Sequence, residues 1–537
     1  LHRKVSALTK ISVSQYLRQK RLQSGKELLQ TTSQTVSEVA YKVGFSSTSY
    51  FIKCFHDFYG YSPGKVESET LMEKAVISKK SIAVLPFKSL STDQDKQYLA
   101  DGVMDAILLH LSKVENLRVI SRTSVEQYRD TDKTVGLICE ELGVGHILEG
   151  SFQKYGDEAR LIVQLILPGE ESHVWANEYD RNWKDIFSVQ SEVAQTVASE
   201  LHAVITPKEK QLIEKIPTLN MEAYDDYLRS YQYFNDLSKE ALYKTIDFLN
   251  KAIEKDNGWA SPYAALAQAW GGMAQMGHET QEVAGPKIFE NLQKALELDP
   301  DFPNSHFVSG TIAVWVEWNW EKGEKGLLRA IALNPNDAMS RMYYSHLLMT
   351  IQRNDEALYQ VELALNLDPL NPLIQALSSA VYLGTGDAEE AMRRLDKALE
   401  LDPENFFAWG VMEFIGISCQ QYDKVMKAMY IVIPFDEKAK NQIDKIYNEK
   451  GFHEAYTKAL EHIEVLAENG YPSPVDLAGR FTCINQNEKA LQWMEKGLQM
   501  HDQNLPYIAT NFYSNCEIRN SSRYKALMEK LNLPMPK

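Results

Sequence analysis

A sequence period in the second half of the chain is the feature that most constrains the fold. The tripeptide Leu-Asp-Pro or Leu-Asn-Pro recurs with 35, 34 and 34 residues between successive prolines, and an alanine stands five positions before each proline. Small residues let paired helices pack closely, and proline ends a helix because it cannot donate the next backbone hydrogen bond. The period therefore predicts a stack of helix pairs, punctuated at Pro300, Pro335, Pro369 and Pro403.

A helical period of 34 residues resembles the tetratricopeptide repeat. The resemblance implies an α-solenoid, which we place at residues 221–537, with about seven or eight repeats up to roughly Ser514 and a terminal helix near Tyr524–Leu531. One repeat cannot bury its apolar face alone, so the stack shares one core and forms a concave surface. We therefore predict that a protein or peptide binds in the repeat groove.

Three tryptophans lie close together in the third repeat, at Trp315, Trp318 and Trp320. Clustered indoles can form a cage around a ligand, but they can also fill the space between helices of one repeat. Helix packing is the favoured interpretation, and the ligand cage stays open as the alternative.

Charge is spread unevenly along the chain. A chain of 537 residues is expected to hold several domains, and its 44% apolar and 24% charged residues are typical of folded proteins. The net charge is −16, yet residues 1–65 carry ten Lys and Arg against three Asp and Glu, which is +7 and leaves −23 for the rest. This polarity fits a nucleic-acid-binding head on an acidic body, although a merely solvated basic helix surface would look the same.

The basic segment has the pattern of a helix-turn-helix. Helical spacing of apolar residues predicts helices at 12–30, at 36–43 and at 48–59. Gly44 breaks the second of these where a left-handed turn would strain other residues, and small Ala40 lets two helices approach. The helix that follows would then present Thr48, Ser49 and Lys53 outward, as a recognition helix does in a major groove.

The same segment resembles the DNA-binding domain of AraC/XylS-type regulators. Residues 1–65 carry the resemblance through Val43-Gly44-Phe45-Ser46, Tyr50-Phe51 and Tyr61-Ser62-Pro63. It implies two helix-turn-helix units joined by a long helix at 13–29, with only the recognition helix of the first unit present. Base contacts are implied for Arg3, Thr48, Ser49 and Lys53. We expect phosphate contacts from Lys10, Arg18, Lys20, Arg21 and Lys42.

Residues 66–80 are expected to be a linker, and residues 81–205 a separate domain. Apolar runs and helical spacing predict the order βαβαβββα, which favours a small α/β sandwich. The runs Ser81–Phe87, Arg118–Ser124 and Trp175–Arg181 resemble a TolB amino-terminal-like module. In related proteins that module stands between an effector domain and tetratricopeptide repeats, which implies a connector or sensor. The fold class is then multidomain: an all-α head, an α/β middle domain and an α-solenoid.

Catalytic and cofactor signatures are missing from the sequence. The patterns GxxxxGK[ST] and GxGxxG do not occur, and the five cysteines are scattered without a CxxC pair. We therefore predict no catalytic residue, no cofactor, no metal, no membrane segment and a cytoplasmic location. Because the first residue is Leu1 rather than Met, we expect the native chain to begin further upstream.

Three hypotheses about function follow from these features. The favoured one is a sequence-specific transcription regulator that binds double-stranded DNA, whose other domains sense or recruit a protein, peptide or small molecule and could form a homodimer. The alternative is a cytoplasmic scaffold or adaptor whose DNA-binding head is vestigial. An enzyme is the least favoured hypothesis. Its only support is that the middle module stands beside an adenylate cyclase domain in some related proteins.

Overall fold

The structure, a computed structural model, describes most of the chain. The described residues are 18, 20–22, 24–26, 29, 35–45, 47–59, 62–64, 80–91, 96–168, 173–234, 238–275, 278–468, 472–511 and 513–536. They form two compact units, Leu1–Ser78 and Lys79–Lys537. The first unit is the basic head. The second holds the α/β module together with the repeats, which pack against each other.

The head contains the two predicted helices of a helix-turn-helix. Helix α1 spans Val36–Lys42, and helix α2 spans Thr48–Tyr59. The bounds of α2 confirm the predicted helix at 48–59. Their apolar sides meet the helical residues that precede them in one buried cluster. This core consists of Leu22, Leu29, Val39, Ala40, Phe45, Phe51, Cys54 and Phe55.

The α/β module is built on one mixed sheet. Its strands are β1 (Ser81–Val84), β2 (Lys88–Ser89), β3 (Arg118–Val119), β4 (His146–Tyr155), β5 (Glu158–Ile166) and β6 (His173–Asn182). Its helices are α3 (Gln97–Ser112), α4 (Arg122–Glu126), α5 (Val135–Leu142), α6 (Ile186–Glu200) and α7 (Pro207–Ile213). The predicted strands and helices are all present. The additions are the short elements β2 and α4, which their length hid from periodicity, and α7, which lies beyond the predicted boundary at residue 205.

The sheet has the order β3-β1-β4-β5-β6, and β2 pairs with β4 off this path. The pairs among β1, β2, β3 and β4 are parallel, whereas β4–β5 and β5–β6 are antiparallel. In β1, Ile82 and Val84 enter one core with α3 and α6, while Ala83 faces a second core with α5. Strand β1 is thus buried on both sides, which explains its uninterrupted apolar sequence.

Eight helix pairs follow the module. They are α8 (Met221–Phe234) with α9 (Lys239–Lys255), α10 (Ala260–Gln275) with α11 (Gln281–Leu298), α12 (Pro303–Trp315) with α13 (Trp320–Leu333), α14 (Ala338–Thr350) with α15 (Asn354–Leu367), α16 (Pro372–Thr385) with α17 (Ala388–Leu401), α18 (Phe406–Ser418) with α19 (Tyr422–Val432), α20 (Glu437–Lys450) with α21 (Phe452–Glu468), and α22 (Pro474–Cys483) with α23 (Asn487–Gln499). Two short helices end the chain, α24 (Cys516–Asn520) and α25 (Ser522–Lys530).

The periodic small residues have the packing role that the sequence predicts. Ala295, Ala330, Ala364 and Ala398 are all fully or almost fully buried. A side chain on Gly323 would place its Cβ 2.3 Å from Val314 Cγ2 on the paired helix, so only glycine fits there. The small residues therefore set how closely the helices of one pair approach.

The first helices of successive pairs α14, α16 and α18 pack on one another and form an inner layer. The C-terminal part of the chain packs back against this array. The ring of His501 stacks on Trp318 at 3.8 Å, and Trp320 Nε1 donates to the carbonyl of Leu531 at 2.9 Å. Trp315 packs edge-on against Tyr343. The three indoles thus hold helices and the returning segment together, as in the packing interpretation.

The α/β module lies on the turns that join successive repeats. Lys215 forms an ion pair with Asp299 at 2.6 Å, Asn336 Oδ1 accepts from the Val119 backbone at 3.1 Å, and Ser124 Oγ donates to Asp368 at 2.6 Å. These three acceptors belong to three consecutive Leu-Asp/Asn-Pro turns. The module and the repeats are therefore one body rather than two independent domains.

Candidate nucleic-acid interface

The turn between α1 and α2 determines which side of α2 is exposed. Gly44 has a φ of +89°, as predicted for a left-handed helix stop. Arg21 reaches this turn from the preceding helix, and its Nη1 donates to the Gly44 carbonyl at 2.7 Å. A Cβ on Gly44 would also lie 3.1 Å from the Arg21 guanidinium carbon. Glycine is thus needed for both the backbone angle and the space.

The outward side of α2 carries the predicted base-contacting residues. Ser49 and Lys53 are exposed and lie one helical turn apart. Thr48 is half-buried, and its Oγ1 is 2.8 Å from Ser37 Oγ on α1. Thr48 therefore ties the two helices together at the start of α2, whereas Ser49 and Lys53 face away from the core.

The predicted phosphate-contacting residues lie at the surface as far as the structure describes them. Arg18, Lys20, Arg21 and Lys42 are exposed. Arg21 donates from one guanidinium nitrogen to the Gly44 carbonyl, and its other guanidinium nitrogens can donate to further acceptors. Arg3 and Lys10 lie outside the described residues.

Two further residues share the outward side of α2. Tyr50 and His56 each stand three positions from Lys53, on either side of it, and both are exposed. Tyr50 also keeps its ring 6.0 Å from that of Phe45, so its direction is set by the core. Sequence reasoning missed both residues, although their spacing from Lys53 places them on the same helical face.

The repeat array offers a second candidate site, but part of its inner face is already covered. Tyr507, in a short 3₁₀ segment at Leu505–Ala509, lies beside α14. Asn511 donates to the Gly384 carbonyl on α16, and the ring of Tyr513 packs against Phe414 on α18. The predicted groove over these three helices is thus filled by the protein's own chain.

The proton positions in the contact between Tyr507 and α14 follow from the hydrogen-bond partners of His346 on α14. His346 Nε2 lies 3.1 Å from the Leu377 carbonyl, which can only accept, so this nitrogen carries the proton. His346 Nδ1 then accepts from the Tyr507 hydroxyl at 3.0 Å. Burial lowers the pKa of His346 to about 4, so the imidazole stays neutral at physiological pH. The segment is consequently held by directed bonds as well as by burial.

Metal-binding groups and membrane-crossing helices are absent from the part of the chain that the structure describes. There, His, Cys, Asp and Glu do not come together in any group that could hold a metal ion. Nor do those residues include a helix with the length and apolarity that a bilayer crossing needs. The expectation of a protein without cofactor or catalytic residues stays a prediction.

Family models match two regions of the chain. Residues 1–68 match the model described as a helix-turn-helix domain. Residues 78–196 match the model described as the second domain of HilA/YgeH-like transcriptional regulators. The first match agrees with the predicted head. The second covers the α/β module, for which the TolB-like assignment stays a prediction.

Curated relatives match parts of the chain. A protein of Rhizobium meliloti (strain 1021) that is named as an adenylate cyclase is 32% identical over 249 residues, which are 45% of this chain and 41% of the relative. The transcriptional regulator HilA of Salmonella typhimurium is 29% identical over 143 residues, 27% of this chain and 26% of the relative. The chain thus spans less than half the length of these relatives.

Solved structures resemble the chain only loosely. A thermophilic tetratricopeptide repeat protein of Thermus thermophilus has 17% identity and a TM-score of 0.29, covering 35% of this chain and 94% of its own. Human IFIT1, solved as a dimer with m7Gppp-AAAA, has 13% identity and a TM-score of 0.37, covering 77% and 98%. The assignment of the repeats rests instead on the observed helix pairs and their period, and that of the head on its helices and its family match.

Proposed function

We propose that this chain is a sequence-specific DNA-binding transcription regulator. The observation that carries the proposal is the outward face of α2, where Lys53 and Ser49 stand exposed directly after a tight turn. Both the helix-turn-helix match and the match to a regulator domain support it. In this proposal α2 enters the major groove, where Lys53, Ser49 and Thr48 contact bases, and Arg3 does so from the first unit.

The exposed cations beside α2 hold the head on the duplex. These cations are Arg18, Lys20, Arg21 and Lys42, and they contact phosphates, which position a protein without reading the sequence. Lys10 is proposed to contact phosphate as well. The acidic remainder of the chain, with its −23 charge, stays off the DNA because it is repelled by the phosphates.

The repeat array contributes a surface for a protein or peptide partner. The inner face over α14, α16 and α18 is covered by the segment around Tyr507, so a partner there must displace this segment. The proposed partner surface therefore lies on the first two pairs, α8 to α11, since Trp315 at the end of α12 already packs near Tyr507, with the ring centroids 6.4 Å apart. The competing function is a scaffold, in which the repeats bind a partner and the head has no role.

A DNA-binding measurement separates these functions. The full chain is used to select duplexes from a random pool, and binding to the enriched sequence is then followed by fluorescence anisotropy. Lys53→Ala should weaken binding to the selected sequence by about 1–3 kcal/mol, roughly tenfold to a hundredfold, and relax its base preference. Arg18→Ala should weaken all duplexes alike and reduce the salt slope by about one.

Lys325→Ala is the matched control, because Lys325 is an exposed lysine of the repeat array that pairs with Glu321. It should leave DNA affinity unchanged. Failure to enrich any duplex at low salt, or equal binding by the wild type and Lys53→Ala, contradicts the regulator and supports the scaffold.

A further inference from the structure

The two edge strands of the module's sheet differ in the hydrogen-bond partners of their outer backbone groups. At the β3 edge the repeats supply the missing partners: Val119 N donates to Asn336 Oδ1, and Ser121 N donates to the Leu367 carbonyl at 2.9 Å. At the other edge stands β6, ten residues long and the last strand of the sheet among the residues that the structure describes. One edge is therefore covered by the array, whereas no strand pairs with the opposite edge in the part of the chain that the structure describes.

Two side-chain bonds show which backbone groups of β6 point away from β5. Glu178 N donates to Asn177 Oδ1 at 3.0 Å, and Arg181 Nη1 donates to the Asp180 carbonyl at 3.0 Å. Alternate residues of an antiparallel strand direct their backbone groups to opposite sides. The even-numbered residues of β6 from Ala176 to Asn182 thus present their N–H and C=O groups outward, where the bonds shown among the described residues come from local side chains.

Strand β6 has few of the features that normally protect an open edge. Its sequence contains no proline and no lysine, and the register with β5 is regular from Trp175 to Asn182. Val174 on β6 is 40% exposed, and Ile162 on the neighbouring strand is 37% exposed. The register shifts only at the start of the strand, between the pairs Ile166–His173 and Leu165–Trp175, and the regular part from Trp175 onward is suited to pairing with another strand.

We propose that β6 is a homodimer interface, in which β6 of a second copy pairs antiparallel about a two-fold axis at Asn177. The two sheets then become one continuous sheet. The exchanged bonds come from the outward even-numbered residues, with Ala176 opposite Glu178. Because the odd-numbered residues already bond to β5, Asn177 faces its own copy as a pair without mutual hydrogen bonds.

Side-chain chemistry favours this register over those centred on Glu178 and Tyr179. A two-fold axis preserves the faces of the sheet, so only residues of the same parity can oppose each other. An axis at Asn177 brings Trp175 opposite Tyr179 and opposes no two carboxylates. An axis at Glu178 would oppose two glutamates, and an axis at Tyr179 would oppose Glu178 and Asp180, both of which are destabilising.

The dimer does not depend on DNA binding by the head. It would place two heads on one particle and so raise the effective concentration of the second head once the first has bound. Loss of DNA binding with the dimer intact would therefore contradict the proposed function alone, and a monomer that binds DNA would contradict the interface alone.

Engineered cysteines test both the surface and its register. In a Cys516→Ser background, which removes the exposed native thiol, Asn177→Cys and Glu178→Cys are compared after mild oxidation. Two copies of residue 177 would have Cα atoms about 4.5 Å apart, within disulfide reach. Two copies of residue 178 would lie diagonally at about 7–8 Å, beyond it.

The expected result is a dimer by light scattering at tens of micromolar and a covalent dimer on a non-reducing gel for Asn177→Cys but not for Glu178→Cys. A monomeric wild type, or a dimer in which Asn177→Cys forms no more covalent dimer than Glu178→Cys, overturns the proposal.

Ala176→Pro tests the interface without breaking the fold. Ala176 directs its N–H outward, so proline there removes no bond to β5 and is of the kind tolerated on edge strands. Two bonds across the axis are lost, and the dimer dissociation constant should rise about tenfold or more with little change in thermal midpoint. An unchanged dimer in this variant also overturns the proposal.

Discussion

The head and the repeat array use charged side chains in opposite ways. In the head, Lys53 and Ser49 face outward, and the core behind them is entirely apolar in its buried residues. In the array, Arg480 is 3% exposed and Glu413 is 0% exposed, and they form a bidentate pair at 2.8 and 3.0 Å. The Tyr456 hydroxyl also donates to Glu413 at 2.6 Å.

Size explains the difference. The buried core of the head, as far as the structure describes it, holds only eight side chains and has too little volume to enclose an ion pair, so its charges stay in water and are available to a ligand. Eight stacked helix pairs share one long core that can enclose charged groups completely, provided that each finds its partner. An exposed charged residue in the head is therefore a candidate for ligand binding, whereas a buried ion pair in the array stabilises the fold.

Removal of one partner from the buried pair should have the largest effect. Arg480→Ala leaves the Glu413 carboxylate buried without its counter-charge, which costs about 3–5 kcal/mol in the free energy of unfolding. The measurement is urea unfolding followed by circular dichroism. DNA affinity at temperatures where the variant stays folded should not change, because the head is a separate unit.

Two controls sharpen that test. The double variant Arg480→Met with Glu413→Leu removes both charges and should recover most of the loss. Arg523→Ala breaks an ion pair with Glu495 in which both side chains are over a third exposed, and it should cost under about 1 kcal/mol. Equal destabilisation by Arg523→Ala and Arg480→Ala would contradict the distinction between buried and exposed charge.

The junction between module and array should show an intermediate, pH-dependent effect. Burial raises the pKa of Asp368 to about 6, against partial compensation by the Ser124 hydroxyl and the Asn371 amide. The folded state therefore binds this proton more tightly than the unfolded state. Its contribution to stability is complete below about pH 4 and is lost as the pH rises through about 6, at most about 3 kcal/mol.

Asp368→Asn removes this titration and keeps an oxygen for Ser124. Unfolding midpoints at pH 4.5 and pH 7.5 should therefore differ less in the variant than in the wild type. Asp402→Asn is the matched control, since Asp402 holds the same place in the next repeat turn and bonds locally to Asn405. If Asp402→Asn flattened the pH dependence as much as Asp368→Asn, burial at the junction would not be the cause.

The smallest effect is expected in the head. Ser37→Ala removes the 2.8 Å bond between Ser37 and Thr48 that ties α1 to α2, at a cost of about 1 kcal/mol. The measurement is the thermal midpoint of the head, with a correspondingly small loss of DNA affinity. Ser24→Ala, at an exposed position of the preceding helix, is the control and should change neither quantity. A loss of several kcal/mol would show that the head depends on polar contacts as the array does.

Much of the fold could be predicted because its signals are local. The bounds of α2, the αL turn at Gly44 and the helix pairs around Pro335 and Pro369 all follow from patterns within one or two repeats. Strands β4, β5 and β6 were expected as the three successive strands of the order βαβαβββα, since alternation is also a local signal. Helix α4 and strand β2 escaped prediction because they are too short to show a period.

The candidate site was predictable only in part. Helical spacing placed Ser49 and Lys53 outward and could have added Tyr50 and His56. It could not show that Arg21 also braces the turn, because that bond joins residues 23 positions apart. The base and phosphate contacts themselves stay predictions, and those of Arg3 and Lys10 lie outside the described residues.

Sequence alone determined the helix-turn-helix of the head, the succession of strands and helices along the module and the period of the repeats. Only the tertiary structure decided that the module rests on three repeat turns, that Tyr507 and its neighbours fill the inner face, and that β6 is an edge strand of the described sheet. These contacts join residues up to about 250 positions apart, such as Ser124 with Asp368. Burial and hydrogen bonding between such distant residues depend on how helices and strands pack in three dimensions. Periodic patterns in the sequence describe only neighbouring residues, so they do not predict this packing.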